Sequence, residues 1–241
     1  MKKFFSIRYI LGRIWIAFLK GKKVKTGPFK GIILKRNINL NLFYSKLLGI
    51  YEKELHSILN DVLKKNFKQI IVVGTSDGYY FCGFLKKAKS KKIIGFETDD
   101  SLRSICEESA KINNVSKSYL LQGNCTIEKM TTVLSDKDFI FMDCEGCEVE
   151  LLNPADAPQL YNCEILVECH DIFKQNISQN IMNRFISSHS ITRIDARIPK
   201  HSDIPFLPSL ISHFLRHTIL GMITERPIGM HWLHLVPRNR F

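Results

Sequence analysis

Asp143, Glu145 and Glu148 fall within six residues of one another, in the stretch DFIFMDCEGCEVELL at 138–152. The apolar run Phe139 to Met142 reads as a buried strand, and the charges and glycine after it read as a turn opening a helix. Carboxylates delivered to the carboxyl end of a buried strand lie where open α/β sheets bind their ligands. There they can take a proton from a reacting hydroxyl, or orient it. A later apolar run, 163–169, ends in the same way with Glu168, His170 and Asp171, and an imidazole ordinarily titrates near neutral pH. Asp143 is therefore the first candidate for a base or acceptor-orienting group. His170 is either a second proton acceptor or a hydrogen-bonded structural imidazole. Glu145 stands either to bind acceptor hydroxyls or to hold backbone donors in its own turn. Glu148 reads as a first-turn charge favoured by the helix dipole.

A second strand–turn–helix lies upstream in IIVVGTSDGYY at 70–80. Gly74 allows a sharp turn, and Gly78 allows backbone to approach a ligand. The loop Gly74, Thr75, Ser76, Asp77 and Gly78 is thus a candidate cofactor cradle, with Asp143 as a further candidate cofactor contact. Its spacing is not that of the glycine-rich pyrophosphate fingerprint, which argues against a nicotinamide-dependent oxidoreductase. Glu97 ends the next strand, 23 residues beyond Gly74, where a carboxylate can accept both hydroxyl hydrogens of a ribose. Asn124, after the third strand, offers a donor and an acceptor suited to an adenine edge, or serves the turn.

Seven cysteines, an odd number scattered through apolar segments, favour reduced thiols and a cytoplasmic protein over a disulfide framework. Cys144 and Cys147 form a CxxC. They would meet Cys169 and His170 in a zinc site only if the two strand ends were neighbours. A cation shared by Asp143, Glu168 and Asp171 is conceivable on the same grounds. Neither carries enough in spacing, and no metal is expected. His213 and His217, four residues apart, lack a third ligand in register and fit a solvated helix face.

Strands are expected at 69–73, 92–96, 118–122, 138–142, 163–169, 191–196 and 231–236. Helices are expected at 51–66, 79–88, 100–113, 126–134, from 147, and at 176–188. Alternation of this kind implies a Rossmann-like, doubly wound α/β fold, with a mostly parallel seven-stranded sheet and helices on both faces. Residues 197–230, with four prolines, read as a long insertion of the kind that serves as a lid.

Twelve of the 35 basic residues precede the first acidic residue, Glu52, leaving 23 to balance the 23 acidic groups of the body. The excess charge thus belongs to an N-terminal extension, residues 1–49, ahead of a neutral domain at 50–241. That distribution disfavours a uniformly basic nucleic-acid surface. Residues 1–25 have helical apolar periodicity (Phe4, Ile7, Leu11, Ile14, Trp15, Phe18), interrupted by Arg8 and Arg13. They suit a helix lying on an anionic membrane surface, or one docked on the protein's own core, rather than a spanning helix.

Taken together, VVGTSDGYY, FETDD and DCEGCEVELL, with YEKELH at 51–56 and ERPIGMHWLHLVP at 225–237, resemble class I S-adenosylmethionine-dependent methyltransferases, and within them the FkbM-type family. The likeness covers about residues 50–237. The resemblance implies S-adenosylmethionine as cofactor, ribose binding at Glu97, and O-methylation of a small molecule or a sugar, and the basic amphipathic start would suit a glycan- or lipid-linked acceptor held on a membrane. No Asp-Pro-Pro-Tyr or Asn-Pro-Pro-Tyr run, associated with methylation of base amino groups, follows strand four. Two positions depart from the family. Its usual Asp or Asn before the glycine turn is Val72, and its frequent Lys before the signature Asp is Phe141. These departures leave room for a module that holds an adenosyl ligand without turnover. The basic arm leaves room for an RNA methyltransferase with steep salt dependence.

Overall fold

A computed structural model describes residues 23–35, 40–90, 92–114, 118–172, 174–205, 220 and 230–238. The amphipathic stretch 1–22, His213 and His217 lie outside the described residues, as does most of the 197–230 insertion. No helix among the described residues is long and apolar enough to cross a membrane.

The strands are β1 (Ile70–Val73), β2 (Lys92–Phe96), β3 (Ser118–Gln122), β4 (Phe139–Met142), β5 (Glu164–Cys169), β6 (His189–Asp195) and β7 (His231–Pro237). They form one sheet in the order β3-β2-β1-β4-β5-β7-β6. The first five are parallel. β7 runs antiparallel between β5 and β6. Helices α1 (Leu40–Leu48), α2 (His56–Lys64), α3 (Tyr79–Lys87), α4 (Asp100–Ile112), α5 (Ile127–Val133), α6 (Glu148–Leu151) and α7 (Ile177–Phe185) complete the layers. The expected doubly wound α/β architecture is the one observed.

Central strands read as unbroken apolar runs because both of their faces are covered. Their side chains alternate between two cores. Ile70, Val72, Phe139, Phe141, Leu166 and Trp232 pack with residues of α1 to α4. Ile71, Val73, Ile140, Met142, Val167 and Leu233 pack with residues of α5 to α7. Registry aligns Val73 with Phe96 and Met142, and Met142 with Val167. The carboxyl ends of β1, β2, β4 and β5 therefore form one level row.

Residues 24–34 join the first core. Phe29 is fully buried, with its ring edge-on to Tyr79, Tyr80 and Phe84. It lies over Gly83, where an added Cβ would sit 2.4 Å from the ring. The segment assigned by sequence to an extension thus contributes residues 24–34 and 42–48 to the packed body.

The helix expected over 51–66 is broken into a short 3-10 turn at Lys53–Leu55 and α2. Glu52 takes a left-handed conformation (φ 45°) and its buried carboxylate accepts from the Tyr80 hydroxyl, so one continuous helix cannot pass through it.

Candidate active site

A cleft of about 580 Å³ opens above the row of strand ends, a volume in the usual range for small-molecule and cofactor sites. Its walls include Thr75, Ser76, Glu97, Leu102, Asn124 and Cys125 towards β2 and β3. Asp143, Glu145, Glu168 and His170 line it towards β4 and β5. Lys46, Tyr51 and Tyr79 close it on the α1 side.

On the first side, Gly74 turns the chain with φ 84°. An added Cβ there would lie 1.8 Å from the Asp143 carbonyl oxygen, so this glycine lets the β1 and β4 turns nest together. Gly74→Ala is expected to lower stability by about 2–4 kcal/mol through strain and overlap; urea denaturation checks this. Glu97 is buried, accepting from the Ser76 backbone at 2.6 Å and the Asp99 backbone at 3.1 Å. That locks the loop to the β2 end and fixes the carboxylate at the cleft wall. Asp77 also lines the cleft, but its carboxylate is taken by Lys46, and Gly78 stands behind the loop, facing Cys82 and Cys106. Asn124 is exposed at the rim, and its carbonyl accepts from Lys129 Nζ at 2.9 Å.

On the second side a histidine stands among carboxylates. His170 Nδ1 lies 2.6 Å from Glu148 Oε1. Its Nε2 lies 3.5 Å from Asp143 Oδ1 and 3.7 Å from Glu168 Oε2. Burial works against the imidazolium, but the Glu148 hydrogen bond and the charges of Asp143 and Glu148 outweigh it and hold His170 above its ordinary value. Asp143 keeps 27% of its side-chain surface open to the cleft but is enclosed elsewhere. Its burial pushes the carboxyl up to about 6, against the pull of the His170 charge. Glu145 sits exposed at the mouth with φ 53°.

Three features differ from the sequence reading. Glu148 does stand in the first turn of α6, but it is fully buried and bonds His170 and the Gly146 backbone, a role the sequence reading did not give it. The tight turn through Glu145 and Gly146 brings Cys144 and Cys147 to a Cα separation of 5.9 Å, and they form a disulfide. These two are therefore neither reduced thiols nor, with Cys169 and His170, ligands of a four-residue zinc site. Asp171 also lies apart from Asp143 and Glu168, which group with His170 instead.

Lys46 escaped the sequence reading altogether. It is 4% exposed and bonds both Asp77 oxygens at 2.9 Å, with its ammonium 4.9 Å from the centre of the Tyr51 ring. A lone lysine inside the apolar run LNLFYSKLLGI was the available signal. It was masked by the basic residues before it.

Over 115 residues, 47% of this chain, the sequence is 31% identical to uncharacterized protein 158B of Sulfolobus islandicus rod-shaped virus 1, and the match spans 69% of that protein. This chain belongs to the 158B family. No family model matches it. The 158B-family chain superposes on O-methyltransferase TomG from Streptomyces achromogenes, a structure holding S-adenosylmethionine, with TM-score 0.51 and 11% identity. That match covers 84% of this chain and 91% of TomG. A dimethyladenosine transferase from Plasmodium falciparum superposes with TM-score 0.50 and 13% identity, over 79% of this chain and 62% of that one. At such identities the likeness establishes the fold, that of class I S-adenosylmethionine-dependent methyltransferases.

Proposed function

We propose that this protein is an S-adenosylmethionine-dependent methyltransferase that methylates a hydroxyl of a small molecule, a sugar or a glycan- or lipid-linked acceptor. The observation that carries the reading is the division of one cleft into two chemically distinct halves. Glu97 and the Gly74–Asp77 turn form the first, and Asp143 with His170 forms the second. The first half fits an adenosyl cofactor: an anchored carboxylate suits ribose hydroxyls, Leu102 and Cys125 give apolar walls, and Asn124 can pair with a base edge. When bound, the cofactor supplies an electrophilic methyl group that needs little activation.

The chain's own task is alignment and proton removal. Asp143 faces the cleft and is the group that receives the acceptor hydroxyl's proton. His170, held by Glu148, lies behind Asp143 and balances its charge. Glu145, at the mouth, is placed to bind other acceptor hydroxyls. Phe141 is fully buried, with its ring centre 4.1 Å from that of Tyr80 and 5.1 Å from that of Trp232. The FkbM-type lysine position thus serves core packing here, and proton removal rests with Asp143.

Calorimetric titration with S-adenosylmethionine and S-adenosylhomocysteine, with NADH as control, tests the cofactor. Micromolar binding of the sulfonium cofactor and its demethylated product, without NADH binding, is the expected result. Absence of binding by either would overturn the reading. Binding without transfer to any hydroxyl acceptor would favour the adenosyl-binding module.

A further inference from the structure

Cys169, Asp171 and His231 lie together, and none of them lines the cleft. Cys169 packs into the core opposite the one faced by Leu166 and Trp232, whereas Glu168 and His170 line the cleft. Cys169 stands directly across from His231 in the β5–β7 ladder, so the two side chains share a face. A sulfur, a carboxylate oxygen and an imidazole nitrogen from these three residues lie within 4.8 Å of one another.

His231 Nε2 is 3.6 Å from Asp171 Oδ2. That is too long for a hydrogen bond. It matches the spacing of two ligands on one tetrahedral cation, about 3.3–3.6 Å for metal–nitrogen and metal–oxygen bonds of about 2.0–2.2 Å. The carboxylate is oriented from behind, accepting from the Ser178 backbone N–H at 3.2 Å and 3.4 Å on its two oxygens. Ligating carboxylates are typically held in this way. Among the described residues no lysine or arginine forms an ion pair with it. Cys169 and His231 are 1% and 3% exposed, while the Asp171 side chain is 25% exposed and gives the group an opening to solvent.

We propose that Cys169, Asp171 and His231 bind a divalent cation of the zinc type, which fastens the start of β7 to the end of β5 directly behind His170. A thiolate, a carboxylate and a neutral imidazole carry two negative charges, which such a cation cancels. The cysteine proton passes to solvent as the sulfur–metal bond forms. Sulfur with imidazole selects zinc over the oxygen-seeking magnesium and calcium. Three protein ligands leave a fourth position for water. The thiol is not placed for nucleophilic attack, because it is sealed in the core and does not line the cleft.

Cobalt(II) titration of the full chain, stripped with EDTA under reductant, tests the assignment. Cobalt reports a thiolate ligand through an intense near-ultraviolet charge-transfer band. One equivalent is expected to produce that band, and zinc is expected to abolish it by displacement. Cys169→Ser should remove the band. The double variant Cys144→Ser/Cys147→Ser should keep it, excluding the cleft turn as its source. Asp171→Asn, at a partly exposed position outside the core, should weaken cobalt affinity at least about tenfold. A wild-type chain with no band, a band that survives Cys169→Ser, or unchanged affinity in Asp171→Asn would each overturn the site. Cobalt binding lost only with Asp143→Asn would place the cation in the cleft and overturn it as well.

Discussion

Asp143→Asn is expected to lower methyl transfer by about 10²–10⁴-fold, the usual contribution of a positioned general base, while S-adenosylmethionine affinity stays within a few-fold. Transfer of labelled methyl from S-adenosylmethionine to a panel of sugar and small-molecule hydroxyl acceptors measures the first, and calorimetry the second. The asymmetry follows from geometry. Asp143 faces the half of the cleft beside His170, whereas the cofactor half is held by Glu97 and the turn after β1. Burial raises Asp143 to about 6, so the wild-type rate should climb as pH rises through that value and the carboxylate becomes able to accept a proton. The variant should lose that limb. The stability effect has the opposite sign. A carboxyl that titrates higher folded than unfolded is charged at a cost above about pH 6, and asparagine removes that cost. The thermal midpoint at pH 7 should therefore not fall. Unchanged transfer would take Asp143 out of the chemistry.

Lys46→Met is expected to destabilise the protein by about 3–5 kcal/mol, because it strips the cation from a buried carboxylate. The pair is sealed, with both side chains 6% exposed. The methionine fills much of the lysine's volume, so the loss reports charge rather than a cavity. Adding Asp77→Asn should recover most of the lost stability, since the uncompensated charge is then gone. Urea denaturation of the two single variants and the double variant gives the coupling between them. Asp77 lies in the turn that carries Ser76 onto Glu97, so Lys46→Met should also weaken S-adenosylmethionine binding by tenfold or more. A double variant no more stable than Lys46→Met would show that the ion pair is not the source of the loss.

Much of this architecture was legible because each strand is short, apolar and closed by a turn. IIVV, FIFM and EILVEC could be little other than strands buried on both faces, and the helices between them imposed parallel pairing. The positions of Asp143, Glu97 and His170 at strand ends followed from the same runs. Residue identity says much less about the partners a side chain finds across the sheet. Glu148 looked like an ordinary helix-start charge until β5 brought His170 against it. Lys46 looked like part of a solvated basic arm until α1 folded over the turn after β1.

By itself, then, the sequence determined the class of fold and the edge of the sheet where carboxylates gather. These depend on local periodicity and on strand ends, which a linear chain records directly. Tertiary structure alone decided which charges pair. It also decided that residues 24–34 and 42–48 belong to the core, and that Cys169 meets His231 across 62 positions of sequence. Those contacts arise from an antiparallel strand inserted beside β5 and from a helix closing over the cleft. Their energies come from desolvation and distance, and neither quantity is written in the order of the residues.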